Sequence, residues 1–248
     1  MAIRVSVITA TCNDGSEFEG LIASIRAAKT PCAEWIVVDN MSVDRTESLV
    51  KEARDVIDHY IREADTGIYD AWNKGLRVCK GEYIAFLGAD DRIDPSYFDL
   101  DFLGSIGDRN FLLFPTAHIR HGVIKKVVTS VQWTKPRRFP ASLGFSHAGA
   151  WHHRSLFSDG GFDSSYKIAG DREFIIRNAA KLRPALARTG QPIVFFCLEG
   201  VSETCPRELV YRELIRIYGK HEKDHPTLAI ERLILFAKLF IRLVTNVK

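Results

Sequence analysis

Tyr83-Ile-Ala-Phe-Leu87 breaks the alternation expected of a half-exposed strand. It is apolar throughout, which predicts a strand buried on both faces. Val5 to Thr9 and Trp35 to Val38 have the same compact character, and His59 to Arg62 predicts a short strand before Tyr83. Between these runs the period changes to that of a helix. Leu21, Ile22 and Ile25 share one helical face behind Ser16 and Glu19, a pair that reads as a capping box. Leu49, Val50 and Ala53 do so behind Asp44 and Glu47, and Tyr69 to Cys79 predicts a third helix. Strands alternating with helices in this way predict a mostly parallel sheet with right-handed crossovers and helices on its faces.

The second half is less regular. Phe111 to Phe114 predicts a strand, His121-Gly122 a hairpin turn and Ile124 to Val131 the returning strand. A basic, proline-broken loop, Lys135-Pro-Arg-Arg-Phe-Pro140, comes next, and Arg172 to Lys181 predicts a helix headed by Asp171. Arg207 to Lys223 predicts a charged helix, and Pro226 starts another. From Glu231 onward apolar residues crowd the chain, with Glu231, Lys238, Arg242 and Thr245 sharing one face. Two readings of residues 230–248 stay open: a helix lying in a membrane interface, or one packed on its own domain or on a second subunit of a homodimer. No apolar run approaches the roughly 20 residues that span a bilayer.

Composition narrows the class without naming a function. With 248 residues, 46% hydrophobic and 26% charged, the chain has ample length for one large domain or two joined halves. Its net charge of +3 is too slight and dispersed to argue for nucleic acid, and no nucleic-acid-binding motif accompanies it. Cys12, Cys32, Cys79, Cys197 and Cys205 contain no C-x-x-C pair and read as reduced core thiols. Met1-Ala2-Ile3-Arg4 runs straight into a strand without a secretory pattern, so a cytoplasmic location, peripheral to the inner face of the membrane if the last helix binds lipid, is the expectation.

Chemistry concentrates where the strands end. The first four are followed by Thr9-Ala10-Thr11, Asp39-Asn40, Glu63-Ala64-Asp65 and Asp90-Asp91, which would line one edge of one sheet. In open parallel sheets ligands bind outside the carboxyl ends of the strands. Adjacent carboxylates repel unless a cation or hydrogen-bond donors hold them, and Mg²⁺ or Mn²⁺ bridging substrate phosphates is the simplest partner. The competing reading makes Asp90, Asp91 and Asp94 a polar turn capping a helix from Pro95. Neither G-x-G-x-x-G nor a P-loop occurs, so a nucleotide site here must work through carboxylates and metal. A zinc cluster of His147, His152, His153 and Asp171 is disfavoured, because adjacent histidines lack the i, i+4 spacing of a helical pair.

Val5-Ser-Val-Ile-Thr9, Val38-Asp-Asn-x-Ser-x-Asp-x-Thr46, Glu63-x-Asp-x-Gly-Ile-Tyr-Asp-Ala-Trp-Asn-Lys-Gly75 and Gly81-Glu-Tyr-Ile-x-Phe-Leu-Gly-Ala-Asp-Asp91 together resemble the inverting glycosyltransferases of family 2. The resemblance is dense over residues 3–98 and thinner to about residue 180. It implies an α/β, Rossmann-like GT-A fold over residues 1–205, with a nucleotide-sugar half (1–115), an acceptor half (116–205) and a helical tail (206–248). It implies that Thr9, Thr11, Asp39 and Asp65 surround the donor nucleotide, and that Asp90-Asp91 match the end of a metal-binding D-x-D. Gly88 stands where many members carry the first acid, which leaves Asp91 as the expected ligand of Mn²⁺ or Mg²⁺ and Asp90 beside the donor. The Tyr69 to Gly75 motif resembles one subgroup, with Lys74 set to meet phosphate and Asn73 to tie its helix to the strand ends. His147 opens the segment resembling the acceptor side, and Asp171 matches the candidate general base. Small Ala169-Gly170 before it would let a sugar approach. The activity implied is transfer of a sugar, with inversion, from a nucleoside diphosphate donor, a UDP-hexose by the family's habit, to a hydroxyl of a glycan or lipid-linked acceptor in cell-surface polysaccharide synthesis. The alternatives are a sugar- or partner-binding protein that kept the fold, and a sugar nucleotidyltransferase, whose glycine-rich loop is absent here.

Overall fold

The computed structural model describes residues 2, 4–129, 144–187, 190–200 and 204–245, so the basic loop Lys135–Pro140 lies outside it. Among the described residues the strands are β1 (Val5–Thr11), β2 (Ala33–Asp39), β3 (His59–Arg62), β4 (Tyr83–Gly88), β5 (Arg92–Ile93), β6 (Phe111–Leu113), β7 (Thr116–Arg120), β8 (Val123–Val128), β9 (Ala150–His153), β10 (Pro184–Leu186) and β11 (Val194–Cys197). The α-helices are α1 (Gly15–Ala28), α2 (Thr46–Glu52), α3 (Ile68–Val78), α4 (Gly170–Arg177), α5 (Arg207–His221) and α6 (Thr227–Thr245).

Seven strands form the main sheet in the order β10-β6-β9-β4-β1-β2-β3. Each of β4, β1, β2 and β3 pairs in parallel with its neighbour, with Ile8 opposite both Ile36 and Phe86. The uninterrupted apolar runs are explained by the two cores that this sheet separates. Val5, Val7, Trp35, Val37, Ala85 and Leu87 face α1 and α2, packing on Phe18, Leu21, Ile25, Leu49 and Val50. Ile8, Ile36, Val38, Ile84 and Phe86 point the other way, into a cluster with Tyr69, Trp72, Phe174, Ile217 and Tyr218. Alternation is present, but both sides are dry.

The sheet is not wholly parallel. β9 enters antiparallel between β4 and β6, with Ala85 opposite Trp151 and Leu112 opposite Trp151 on the other side. A second sheet of order β5-β11-β7-β8 adjoins the first. His121 and Gly122, at φ 50° and 72°, make the predicted turn between β7 and β8. β8 is the outer edge of that sheet, and its exposed Lys125 and Lys126 discourage pairing with another chain.

Several local expectations change. Ser16 lies inside α1, whose N-cap is Asp14, so the capping box does not form, and Glu19 instead pairs with Arg45 at 2.8 Å. Asp44 joins two helix starts, accepting from the Gly15 N–H at 2.8 Å and the Thr46 N–H at 3.0 Å. These bonds, that to Thr46 foremost, hold its carboxyl below the usual range. Asp94 caps the short 3-10 turn at Pro95 by accepting from the Ser96 N–H at 2.9 Å. α4 begins at Gly170 and ends at Arg177, a shorter and earlier helix than Arg172 to Lys181. All five cysteines are free thiols, but only Cys79 is buried, and Cys12 is exposed. Among the described residues no helix is long and apolar enough to cross a membrane.

α5 is part of the domain. Ile217 and Tyr218 join the second core, and the buried carboxylate of Glu213 accepts from three successive N–H groups, those of Lys167 (2.6 Å), Ile168 (3.0 Å) and Ala169 (2.9 Å). That clamp fixes the segment leading into α4.

Candidate active site at the carboxyl edge

The strand order reverses between β1 and β4: from β1 the chain steps outward through β2 and β3, then returns to β1's other side. A crevice at the carboxyl ends is expected at such a switch point. The loops leaving β1 and β2 are cross-linked there. Asn13 donates its N–H to Ser42 Oγ at 2.8 Å and accepts from the Val43 N–H at 2.8 Å. Asn13 and Met41 both hold positive φ, 60° and 54°, a conformation that costs non-glycine residues and marks a constrained site.

The predicted donor residues meet at this edge with different degrees of freedom. Thr9 is fully buried, its hydroxyl accepting from Trp35 Nε1 at 3.1 Å, so it braces the sheet beneath the crevice and does not line it. Thr11 donates to Asp14 Oδ2 at 3.1 Å. Asp39 is fully buried, accepting from Ser42 N–H (2.9 Å) and Tyr60 OH (2.7 Å), with Arg62 at 3.3 Å. Asp65 is half-buried and accepts from the Gly67 N–H at 2.9 Å, while its own N–H donates to Asn40 Oδ1. Burial raises its pKa. Lys74 is neither solvated nor open to phosphate: its ammonium donates to the Ala64 carbonyl at 2.5 Å and pairs with Glu63 at 3.3 Å. Asn73 binds Phe162 through both N–H···O bonds, each 2.8 Å, and so ties α3 to the second half of the chain. Both side chains act here as struts.

Asp90 and Asp91 separate sharply. Asp91 is 1% exposed, with Oδ2 accepting from the Gly88 N–H at 2.8 Å and Oδ1 from the Cys197 N–H at 3.3 Å. Burial, and then the neighbouring charge of Asp90, pushes its carboxyl up to about 8. Asp90 is half-buried beside two glycines: a Cβ at Gly88 would lie 2.6 Å from its Oδ1, and one at Gly200 would lie 2.7 Å from its Oδ2. The glycine at the position of the missing acid therefore makes room for Asp90 to fold back over the strand end. A divalent cation wants charged oxygens that are free to face it. Asp91 as placed turns both oxygens to backbone N–H groups, and among the described residues no three His, Cys, Asp or Glu side chains converge as a metal site. The expectation that Asp91 holds Mn²⁺ or Mg²⁺ does not fit this arrangement.

The acceptor-side residues form a second group at the same edge, because β9 runs antiparallel to β4 and so begins there. His147, in the 3-10 turn before β9, stacks on Trp72 (centroids 5.2 Å) and Phe86 (5.7 Å). Burial lowers its pKa, opposed by the charge of Asp171. His152, fully buried, lies 5.1 Å from it ring to ring, and burial holds it well below the usual range. The two imidazoles belong to this aromatic layer, and no zinc cluster forms among the described residues. Asp171 sits half-buried in the first turn of α4, one residue past the start, and its side chain does not cap the helix. Tyr69 donates to its Oδ1 at 3.2 Å, as does the Arg172 N–H at 2.8 Å. Gly170 serves a different purpose from the one expected: a Cβ there would lie 2.8 Å from the Tyr69 ring, so the glycine admits Tyr69 and not a sugar.

Sequence reasoning missed three members of the site. Tyr69 belongs to the Tyr69–Gly75 motif, whose spacing does not reveal that its hydroxyl holds Asp171. Cys12 stands exposed at the crevice, its thiol pushed up by burial and by the charges of Asp14, Asp65 and Asp39, and its position directly after β1 was the available signal. Glu213 had no signal, since a glutamate in a charged helix looks solvated. A cavity of about 550 Å³, lined by Asn73, Leu76, Arg77 and Arg154 among others, lies toward the amino edge, away from Tyr69, Cys12 and Glu213.

Comparison with known proteins points one way. The family described as Glycosyl transferase family 2 matches residues 6–138, more than half of the chain. An uncharacterized glycosyltransferase of Mycobacterium tuberculosis is 26% identical over 232 residues, covering 90% of this chain and 86% of its own. Among solved structures, S. aureus TarS 1-349 in complex with UDP-GlcNAc superposes with a TM-score of 0.69 at 18% identity, covering 96% of this chain and 72% of that one. A second TarS 1-349 structure matches at a TM-score of 0.65 and 19% identity over 87% of this chain, which spans 64% of it. The mannosyltransferase PcManGT from Pyrobaculum calidifontis, in complex with GDP-Man and Mn²⁺, gives 0.63 at 19% identity over 97% of this chain and 70% of its own. These likenesses show the GT-A fold.

Proposed function

Since the chain belongs to glycosyl transferase family 2, we propose that it moves one sugar from a nucleoside diphosphate sugar, a UDP-hexose, to a hydroxyl of a glycan or lipid-linked acceptor in cell-surface polysaccharide synthesis, with inversion. The observation that carries this reading is the setting of Asp171. One carboxylate oxygen is held by Tyr69 and the Arg172 N–H, and the other accepts no hydrogen bond among the described residues. A base fixed through one oxygen keeps the other for substrate. As the acceptor oxygen bonds to the anomeric carbon, the free Asp171 oxygen takes the hydroxyl proton, and the bond from the anomeric carbon to the diphosphate breaks with its electron pair leaving on the diphosphate oxygen. The β1/β4 crevice, with Asp65 and Asp90 at its rim and the buried Asp39 bracing the loop after β2 beneath it, takes the donor. The UDP and UDP-GlcNAc complexes of TarS support uridine as its base. No step is routed through a cation, because Asp91 as placed does not offer itself to one.

Asp91's engagement with backbone favours a second reading, a binding protein that kept the fold. One experiment separates the two. A thermal-shift panel of nucleotide sugars, with and without Mn²⁺, should identify a donor by a rise in apparent stability, and incubation with acceptor should release the free nucleoside diphosphate. Asp171→Asn should leave the shift in place and lower turnover by roughly 10² to 10⁴. A donor-induced shift without release in the wild type would leave the binding protein as the answer.

A further inference from the structure

α6 is built inside out for a helix on a water-facing surface. Such a helix normally turns its apolar stripe to the core and its charges to solvent. Here Leu228 and Leu235 are buried, and the part-exposed arginines lean back on the domain: Arg232 (33% exposed) pairs with Glu222 at 3.1 Å, and Arg242 (42%) with Glu208. The outward face is left to Phe240 (68% exposed), Leu233 (67%), Ile230 (64%), Ile241 (60%), Phe236 (48%) and Ile234 (44%). At 100° per residue these side chains occupy an arc of roughly 160°. Lys238, about 40° beyond the end of that arc, is the one charged residue among the exposed side chains described for α6.

We infer that this face of α6 lies in the lipid–water interface of an anionic bilayer. Three features favour lipid over a second copy of the chain. A partner helix packs along a narrow seam, whereas an interface takes up a broad face, and this apolar arc is broad. Protein interfaces of useful size carry about one hydrogen bond per 100–200 Å², and among the described side chains of α6 the exposed positions carry no polar group except Lys238. A lysine at the flank of an apolar face, with a long stem and an ammonium tip, suits the headgroup level of a membrane with negative charge. The inference is independent of the transfer chemistry, since none of these residues belongs to the carboxyl edge.

The test is flotation of the full chain with phosphatidylcholine vesicles, with and without phosphatidylglycerol, in parallel with light scattering to give the mass in solution. The wild type should float with the vesicles, more so with phosphatidylglycerol. Leu233→Glu and Phe240→Glu, both at exposed positions, should each lower the partition by roughly tenfold or more with an unchanged unfolding temperature. Absence of vesicle binding by the wild type would overturn the inference, as would binding undiminished in both variants. A wild-type dimer that either variant converts to a monomer would assign the face to a second copy and overturn it equally.

Discussion

Tyr69 and Gly170 show how one contact is written in two distant places. Tyr69 reaches Asp171 only because residue 170 has no Cβ, and its buried phenol is held well above its ordinary pKa by burial and then by the charge of Asp171, so it acts as a donor. Tyr69→Phe keeps the ring against Gly170 and removes the donor. Turnover should fall by roughly tenfold, the scale of one hydrogen bond to a charged group, with the donor-induced thermal shift unchanged. A merely structural tyrosine would leave turnover of the folded variant within a few fold of wild type. Motif spacing made Asp171, Asp90 and the strand-end acids legible, because acids after buried strands are visible in one dimension. The orientation of each carboxylate was not. Whether Asp91 faces substrate or the backbone depends on the Cys197 N–H, which comes from β11, far along the chain.

Among the elements, the first four strands and three helices were readable because both of their periods are local. β9 was not read as a strand at all. Ala150-Trp-His-His153 mixes apolar and imidazole side chains, and its pairing partners lie in β4 and β6. α5 is legible as a helix, Arg207 to Lys223 against the observed Arg207–His221, but its packing is not: its three-way acceptor Glu213 resembles any surface glutamate until the loop at 167–169 is folded against it. A glutamine has one carbonyl oxygen to offer three N–H donors, and its own NH₂ would face some of them. Glu213→Gln should therefore destabilise the protein by about 2 kcal/mol in denaturant unfolding and loosen the loop before Asp171, lowering turnover at temperatures where the variant is fully folded. Wild-type stability together with wild-type turnover would remove the clamp.

For the whole molecule, the balance of two displaced acids sets how stability follows pH. Glu173 has a side chain with no exposure, and burial would raise its pKa, but hydrogen bonds from His221 and Lys220 and the charge of Arg177 outweigh burial and bring it to about 2. Its unfolded value is near 4.3, so on acidification the unfolded chain takes up a proton that the native one refuses. Stability on the order of 3 kcal/mol, present above about pH 5, is lost as pH falls towards 2. Asp91, displaced upward, acts with the opposite sign: the native state keeps a proton that the unfolded chain releases, so stability declines as pH rises from about 4 towards its folded pKa. Thermal unfolding across pH should rise steeply out of the acid and then sag. Glu173→Gln should flatten the acid limb and Asp91→Asn the neutral one, and an acid limb unchanged in Glu173→Gln would refute the assignment.

The antiparallel insertion of β9 also bears on how the protein is made. During synthesis β1, β2, β3 and β4 emerge in order and can pair as soon as they leave the ribosome, but β4 then has an open edge. That edge, apolar on both faces, stays a template for misplaced strands until Ala150–His153 arrives and closes it. The same event carries His147 to the rim of the crevice. The nascent chain therefore acquires its acceptor-side residues in the step that ends its greatest exposure to aggregation, and a ribosome stalled between residues 90 and 150 would present a half-sheet that holding chaperones should recognise.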